Sequence, residues 1–185
     1  FLFLNSASSH AQHGLPTNSV FFVQTNSRDG SAFAVQMGGV NYIVTNFHVI
    51  RGDVNPLVQN IEGEKVQLRT LELANDRDLA RMTYSGDWVN PLSLHDPSIE
   101  IDHNAKVIGN SQGARTLTVF DGKIQSIGPK EFEINAGFSQ ENSGSPVLSN
   151  KHAVIGVDTY YTKSNSRVHW IGDGADDQYA PNSRE

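Results

Sequence analysis

The chain has 185 residues, no cysteine, and 14 basic against 20 acidic side chains, which gives a formal net charge of −6. At about 150 residues per domain this length predicts one compact unit, and without a stretch of about 18 apolar residues no transmembrane helix is predicted. The negative charge argues against nucleic acid as the main partner, and the missing cysteines exclude disulfide scaffolds, thiol nucleophiles and thiolate zinc sites.

The N-terminal residues resemble the end of a secretory signal peptide. An apolar stub at residues 1–4 is followed by a small polar stretch in which Ser9 and Ala11 are placed as in an A-x-A cleavage site. We therefore expect residues 1–11 to be a signal remnant and the protein to work outside the cytoplasm, in the periplasm or as a secreted protein. A frayed N-terminal strand is the alternative interpretation.

Short apolar runs with a two-residue period dominate the rest of the chain, and no long stripe with a 3.6-residue period is present. Strands are predicted at 20–23, 32–37, 40–45, 65–71, 79–84, 106–108, 116–120, 123–127, 132–134, 146–148 and 154–160. Many short strands at spacings of about 8–12 residues predict an antiparallel sandwich or barrel. A polar, proline-containing stretch at 86–97 divides the chain into two β halves.

The pattern makes predictions for individual residues at one turn and in one strand. Gly38-Gly39 joins the second and third strands as a two-residue hairpin with a primed turn. In the fourth strand the alternation predicts that Val66 and Leu68 face the core, with Leu71 as a further candidate.

Three short segments carry side chains able to do chemistry: His48 at the end of a strand, Asp78 before an apolar strand, and Ser143 in a tight polar turn. A serine hydroxyl is a poor nucleophile until a base takes its proton, and imidazole, with a pKa of about 6.5, is the natural base. A carboxylate on the other ring nitrogen fixes the tautomer and stabilises the imidazolium. Each segment alone has an ordinary explanation as a turn or strand end, but together they indicate nucleophilic catalysis.

The same segments resemble the trypsin-like serine peptidases, and among them the cysteine-free bacterial HtrA/Deg branch. The similarity covers about residues 20–161. The matching segments are 45–49 (T-N-x-H-V), 78–80 (D-[IL]-A), 108–113 (I-G-N-P-x-G), 122–127 (G-x-[IV]-S), 142–146 (N-S-G-G/S-P) and 155–157. The resemblance implies an all-β fold of two antiparallel six-stranded β-barrels, with the active site in the cleft between them.

The resemblance also implies domain boundaries. A peptidase domain is expected at 12–171, with an N-terminal barrel at about 16–88 and a C-terminal barrel at about 98–171. Residues 172–185 are expected to form a polar tail, beyond which further chain could be missing. A calcium site in this tail is the less favoured alternative, because the spacing fits no known oxygen-ligand loop: Asp173, Asp176 and Asp177.

Carried over residue by residue, the resemblance implies an exported serine endopeptidase in which Ser143 is the nucleophile, His48 the general base and acid, and Asp78 the orienting carboxylate. Asp76 is a rival to Asp78, but it lacks the Leu-Ala that follows Asp78. No cofactor or metal is expected, since the other histidines lack metal-ligand spacing: His10, His13, His95, His103, His152 and His169.

Two residues depart from the family pattern. Glu141 stands where the family has a glycine whose N–H, with that of Ser143, forms the oxyanion hole. A side chain there narrows the allowed backbone angles and brings a carboxylate near developing negative charge, so we expect a hole that is weakened or that forms only with substrate. Asn142 replaces the aspartate that pairs with a freed N-terminal amine in digestive members, so we expect activity without internal cleavage.

The substrate is expected to be a peptide or protein, and the sequence does not indicate an oligomeric state. Gly137, six residues before the serine, would form the floor of the substrate pocket, and Thr159, Tyr160 and Tyr161 its wall. The resemblance therefore implies small or medium apolar side chains rather than Lys or Arg. The alternatives are a non-catalytic or weakly active homologue that binds peptide or protein, and an esterase or narrowly specific protease using the same nucleophile.

Overall fold

The computed structural model describes residues 16–53, 55–94, 99–110, 115–137, 139–163 and 166–172. The expected signal remnant and the acidic residues of the expected calcium alternative lie outside these ranges, as do His10, His13 and His95. Within the described ranges, no helix combines the length and the apolar character that crossing a membrane requires.

The first half of the chain forms a six-stranded sheet, in the order β4-β1-β2-β3-β6-β5. Its strands are β1 (Val20–Gln24), β2 (Asp29–Met37), β3 (Val40–Thr45), β4 (Leu57–Gln59), β5 (Gln67–Leu73) and β6 (Ala80–Ser85). Gly38 and Gly39 have φ values of 58° and 80°, the left-handed conformation that a primed two-residue turn needs. The predicted hairpin between β2 and β3 is confirmed.

Strand β5 is more exposed than its alternation predicted. Val66, just before the strand, is buried, and Leu68 packs partly buried against the core of this half. The register with β6 shifts between Leu68 and Leu71, which breaks the two-residue period. The shift pairs Leu71 with the buried Met82. Because β5 is an edge strand of the sheet, Leu71 is nevertheless 51% exposed, and its predicted place in the core was wrong.

The second half forms a closed six-stranded barrel, in the order β10-β11-β12-β9-β8-β7. Its strands are β7 (Asn104–Asn110), β8 (Leu117–Ile127), β9 (Glu131–Ile134), β10 (Pro146–Ser149), β11 (Val154–Lys163) and β12 (Ser166–Gly172). The two strands predicted at 116–120 and 123–127 are one continuous strand, β8. Gly122 is not a turn residue: a Cβ there would lie 2.7 Å from the backbone nitrogen of Ala136, so glycine permits close packing. Strand β12 was not predicted.

A shared core joins the two halves. Phe33 and Val35 of β2 pack with Ile108, Leu148 and Val157 of the second barrel. The connecting stretch takes part as well, since the backbone of Leu92 bonds to both Ala34 and Gln36, and Leu92 itself is buried in this core. The antiparallel all-β fold with two packed halves is confirmed, and it places β2 directly against the C-terminal barrel.

Candidate active site

His48 lies on a single helical turn that follows β3. The chain leaves the sheet at Thr45 and enters helix α1 (Phe47–Ile50), where the sequence predicted a polar turn. Val49 and Ile50 are buried and Phe47 packs against the same core. These apolar residues anchor the turn, while the imidazole of His48 remains 30% exposed.

Asp78 contacts the backbone and the ring of His48 at once. Its Oδ1 accepts the backbone N–H of His48 at 2.8 Å, and its Oδ2 pairs with the ring Nδ1. The carbonyl of Asp78 accepts the Phe47 N–H at 3.2 Å and the side-chain amide of Asn46 at 2.9 Å. With Nδ1 held by the carboxylate, the neutral ring carries its proton there and presents Nε2 as the basic nitrogen.

Asp76, the rival carboxylate, faces elsewhere. It lies on the surface and binds Lys130 at 3.0 Å and Arg77 at 3.6 Å. The hydrogen bond from Lys130 lowers the pKa of Asp76. The structure therefore brings Asp78, and not Asp76, to His48.

Ser143 follows a short 3₁₀ turn, Gln140–Asn142, and precedes β10. The Asn142 N–H donates to the Ser139 carbonyl at 3.0 Å, and the Ser145 N–H to the Asn142 carbonyl at 2.8 Å. We call residues 140–145 the nucleophile turn. It is tightly enclosed, and Ser143 is only 1% exposed.

Gly144 allows the nucleophile turn to approach the N-terminal sheet. Its φ of 88° is left-handed, which favours glycine. A Cβ at this position would lie 2.1 Å from the Ser31 carbonyl oxygen and 2.4 Å from the Thr45 hydroxyl. Both the backbone conformation and the available space therefore require glycine after Ser143.

Strand β2 connects the histidine and serine segments. The Ser31 N–H donates to the Ser143 carbonyl at 2.9 Å. A Cβ on Gly30 would lie 3.2 Å from the same carbonyl oxygen and 2.6 Å from Val49, the residue after His48. Gly30 thus lies between the helical turn and the nucleophile turn, which brings two segments distant in sequence to one place.

The predicted pocket residues occupy different environments. Gly137 is exposed, and a Cβ there would come within 2.7 Å of the Phe120 ring. Thr159 is buried and accepts a hydrogen bond from the Asn46 amide at 2.8 Å. The backbones of Tyr160 and Tyr161 belong to β11, but their side chains lie outside the described part of the structure. The pocket assignment remains a prediction.

Glu141 occupies the middle of the 3₁₀ turn, and its φ is not in the left-handed region. The right-handed turn accepts any side chain, so the backbone of Glu141 is not strained here. Its carbonyl accepts the Ser31 hydroxyl at 3.1 Å. Any effect of Glu141 on the oxyanion hole must therefore come from its side chain and not from a forbidden backbone conformation.

Asp158 is a buried carboxyl group that sequence reasoning missed. Its backbone carbonyl accepts the Gly144 N–H at 2.9 Å, and its N–H donates to the Ser145 carbonyl at 2.8 Å. Among the described residues, neither side-chain oxygen of Asp158 has a hydrogen-bond partner. Burial raises the pKa of this carboxyl group well above its usual value, because a charged carboxylate loses its hydration there.

Comparison with known proteins identifies the family of this chain. A family model described as trypsin-like peptidase domain matches residues 30–157. The chain is 27% identical over 172 residues to the serine protease Do-like HtrA of Lactococcus lactis subsp. cremoris, covering 83% of this chain and 40% of that protein. It is 28% identical over 159 residues to a probable periplasmic serine endoprotease DegP-like of Chlamydia trachomatis, covering 80% and 31% respectively.

The fold is also similar to that of solved structures. The protease Rv3671c of M. tuberculosis, in its active form, superimposes with a TM-score of 0.73 at 17% identity, covering 86% of this chain and 77% of that one. This similarity establishes the double-barrel fold. The chain spans less than half of the length of the two curated relatives.

Proposed function

Because the chain belongs to the trypsin-like peptidase family, we propose that it is an exported serine endopeptidase working through Ser143, His48 and Asp78. The observation that most supports this proposal is the double contact of Asp78 with His48. This double contact holds the imidazole in the orientation that acyl transfer requires, with Nε2 available to the nucleophile. The family match supports a serine peptidase in general, and the roles of Ser143, His48 and Asp78 are our proposal.

In the proposed mechanism the Ser143 hydroxyl attacks the carbonyl carbon of the scissile peptide bond while His48 Nε2 takes its proton. The imidazolium is stabilised by Asp78 and then protonates the departing amine. Water attacks the resulting acyl-enzyme ester with His48 again as base, which releases the acid product and restores the serine. No cofactor takes part in this cycle.

The tetrahedral intermediate carries a negative oxygen that needs two hydrogen-bond donors. We assign these donors to the backbone N–H groups of Glu141 and Ser143. The Glu141 side chain brings a carboxylate close to the developing charge, which weakens the stabilisation that such a hole provides. If the oxyanion hole is weakened, or forms fully only when substrate binds, we expect a low kcat but not a complete loss of activity.

We also propose that the protein is exported and that its peptidase domain has the boundaries expected from the sequence. The signal-like sequence before residue 12 supports export, and so does the relative named as probably periplasmic. The peptidase domain would span 12–171, and its substrates would be peptides or proteins with small or medium apolar side chains at the cleavage site.

Glu141 also supports a second candidate function, a homologue that keeps the barrels but binds peptide or protein without cleaving it. Hydrolysis of casein or a fluorogenic peptide by the purified chain separates the two. We expect slow hydrolysis that disappears in Ser143→Ala, which removes only the hydroxyl. Binding of peptide without hydrolysis, at equal levels in both proteins, would establish the second candidate instead.

A further inference from the structure

Ser31 is the third residue of β2 and is fully buried, within the run of buried residues at 30–35. Its N–H and its hydroxyl both bind carbonyl groups of the nucleophile turn. The N–H donates to the Ser143 carbonyl at 2.9 Å, and the hydroxyl donates to the Glu141 carbonyl at 3.1 Å. The carbonyl of Ser31 accepts the Thr45 hydroxyl at 2.7 Å.

We propose that Ser31 is a positioning residue that holds the nucleophile turn in its reactive shape, an inference that rests on the proposed peptidase function. Its N–H and hydroxyl bind the carbonyl groups of Ser143 and Glu141, which lie on either side of Asn142. Between these two anchor points lies the peptide unit that carries the Ser143 N–H, while the Glu141 N–H precedes the first anchor within the same residue. Fixing both carbonyls therefore restrains the Ser143 N–H directly and the Glu141 N–H through the backbone of Glu141.

A second bond gives the Ser31 hydroxyl its direction. The backbone N–H of Asn110, at the end of β7, donates to the Ser31 Oγ at 2.9 Å. With that donor occupying one lone pair, the hydroxyl proton is directed to the Glu141 carbonyl. The connection thus runs from β7 through β2 of the first sheet and back to the nucleophile turn, and it couples the two halves of the molecule at the site.

The surroundings leave little room for another arrangement. A Cβ on Gly109, beside Asn110, would lie 1.8 Å from the Ser145 hydroxyl and 2.9 Å from that of Ser31. Such close packing makes serine the side chain that both fits and bonds at this position. Ser31→Ala would keep the strand and its N–H bond to Ser143, while leaving the Glu141 carbonyl and the Asn110 N–H without this partner.

The kinetic effect should fall on the transition state. Losing a whole oxyanion donor costs about 10²–10³ in rate. Loosening one without removing it should lower kcat by about 10- to 100-fold, with KM changed by less than about twofold. Affinity for a peptide aldehyde inhibitor, which forms a tetrahedral adduct in the same hole, should fall in parallel with kcat.

Ser19→Ala is the matched control. Ser19 is also buried, and its hydroxyl also binds a backbone carbonyl, that of Asn90, but it lies just before β1 and does not contact the nucleophile turn through this bond. Ser31→Ala removes two buried hydrogen bonds and Ser19→Ala removes one, so the free energy of unfolding should decrease in both variants, and more in Ser31→Ala. Only Ser31→Ala should have a lower kcat and a lower affinity for the peptide aldehyde than the wild type. Equal kcat in the two variants would overturn the proposal.

Amide hydrogen exchange gives a readout that does not need a working peptidase. In Ser31→Ala the amides of Asn142, Gly144 and Ser145 should exchange at least about fivefold faster than in the wild type, and those of β1 should not change. If the wild-type chain hydrolyses nothing, the proposed function fails while exchange still tests the positioning role. Unchanged exchange in the nucleophile turn contradicts that role whatever the activity.

Discussion

Asp78 binds His48 through both of its carboxylate oxygens, Oδ1 to the backbone N–H at 2.8 Å and Oδ2 to the ring Nδ1. The backbone contact fixes where the helical turn begins, and the ring contact fixes how the imidazole is rotated. One side chain therefore sets both the position and the tautomer of the proposed base. The buried Asn46, bonded to the Asp78 carbonyl and to Thr159, holds this pair against β11.

Asp78→Asn should lower kcat by about 10⁴. The amide oxygen can still accept the His48 N–H, but the amide nitrogen would face Nδ1 and force the ring proton onto Nε2. Steady-state hydrolysis of a peptide substrate measures the loss, and circular dichroism checks that the fold is kept.

Asp76→Asn is the control for this change, because Asp76 lies two residues away and binds Lys130 on the surface. It should leave kcat within about threefold of the wild type, as surface ion pairs contribute little. A comparable loss in both variants would contradict the assignment of Asp78.

Glu141→Gly should raise turnover, because it removes a carboxylate from the residue that supplies a proposed oxyanion donor and gives its backbone more freedom to adapt. Glu141→Gln separates the two causes, since it removes the charge and keeps the side chain. An increase in both variants assigns the effect to charge, and an increase in the glycine variant alone assigns it to the backbone. If kcat is the same in all three proteins, Glu141 does not impair the hole.

The cleavage preference should exclude basic side chains. Gly137 carries no charge to pair with Lys or Arg, and the wall predicted at Thr159, Tyr160 and Tyr161 restricts the pocket to small or medium apolar groups. Profiling with a mixed peptide library, read by mass spectrometry, measures this directly. A profile dominated by cleavage after Lys or Arg would refute the pocket assignment.

Asp158 should make the stability of the protein depend on pH. Burial raises its folded-state pKa above the usual 3.8, so the fold favours the protonated form. This contribution is fully present below the unfolded-state pKa and is lost as pH rises through the raised folded-state value. Asp158→Asn, which stays neutral, should therefore melt at a higher temperature than the wild type at neutral pH, and the difference should shrink toward pH 4.

Asp87→Asn, at an exposed carboxylate, is the control for the melting series. Its melting temperature should follow that of the wild type across the same pH range. If the melting temperatures of all three proteins changed in parallel with pH, the pKa of Asp158 would not be raised in the folded protein.

The fold was largely predictable from local pattern. Gly38-Gly39 marked its hairpin because the primed turn needs left-handed residues. Leu71 and the continuous strand β8 were misjudged because the edge position of β5 and the close contact of Gly122 with Ala136 depend on the tertiary arrangement. Neither is encoded in the local alternation.

For the candidate site, the contact between Asp78 and His48 agrees with the sequence, and Ser143 could be named as a candidate because nucleophilic chemistry requires particular side chains in recognisable segments. Ser31 and Asp158 could not, since they act through backbone groups of residues more than a hundred positions away or on a neighbouring strand. The available signal for Ser31 was a polar residue inside a buried apolar run, which alone is typical of many strands.

Reaction with a fluorophosphonate probe tests the central proposal most directly, because the probe bonds only to a serine that a neighbouring base activates. Intact-mass and peptide mapping should show a single adduct on Ser143 in the wild type, and none in Ser143→Ala or His48→Ala. Equal labelling of wild type and His48→Ala, or a folded wild type that is not labelled at all, would contradict the account.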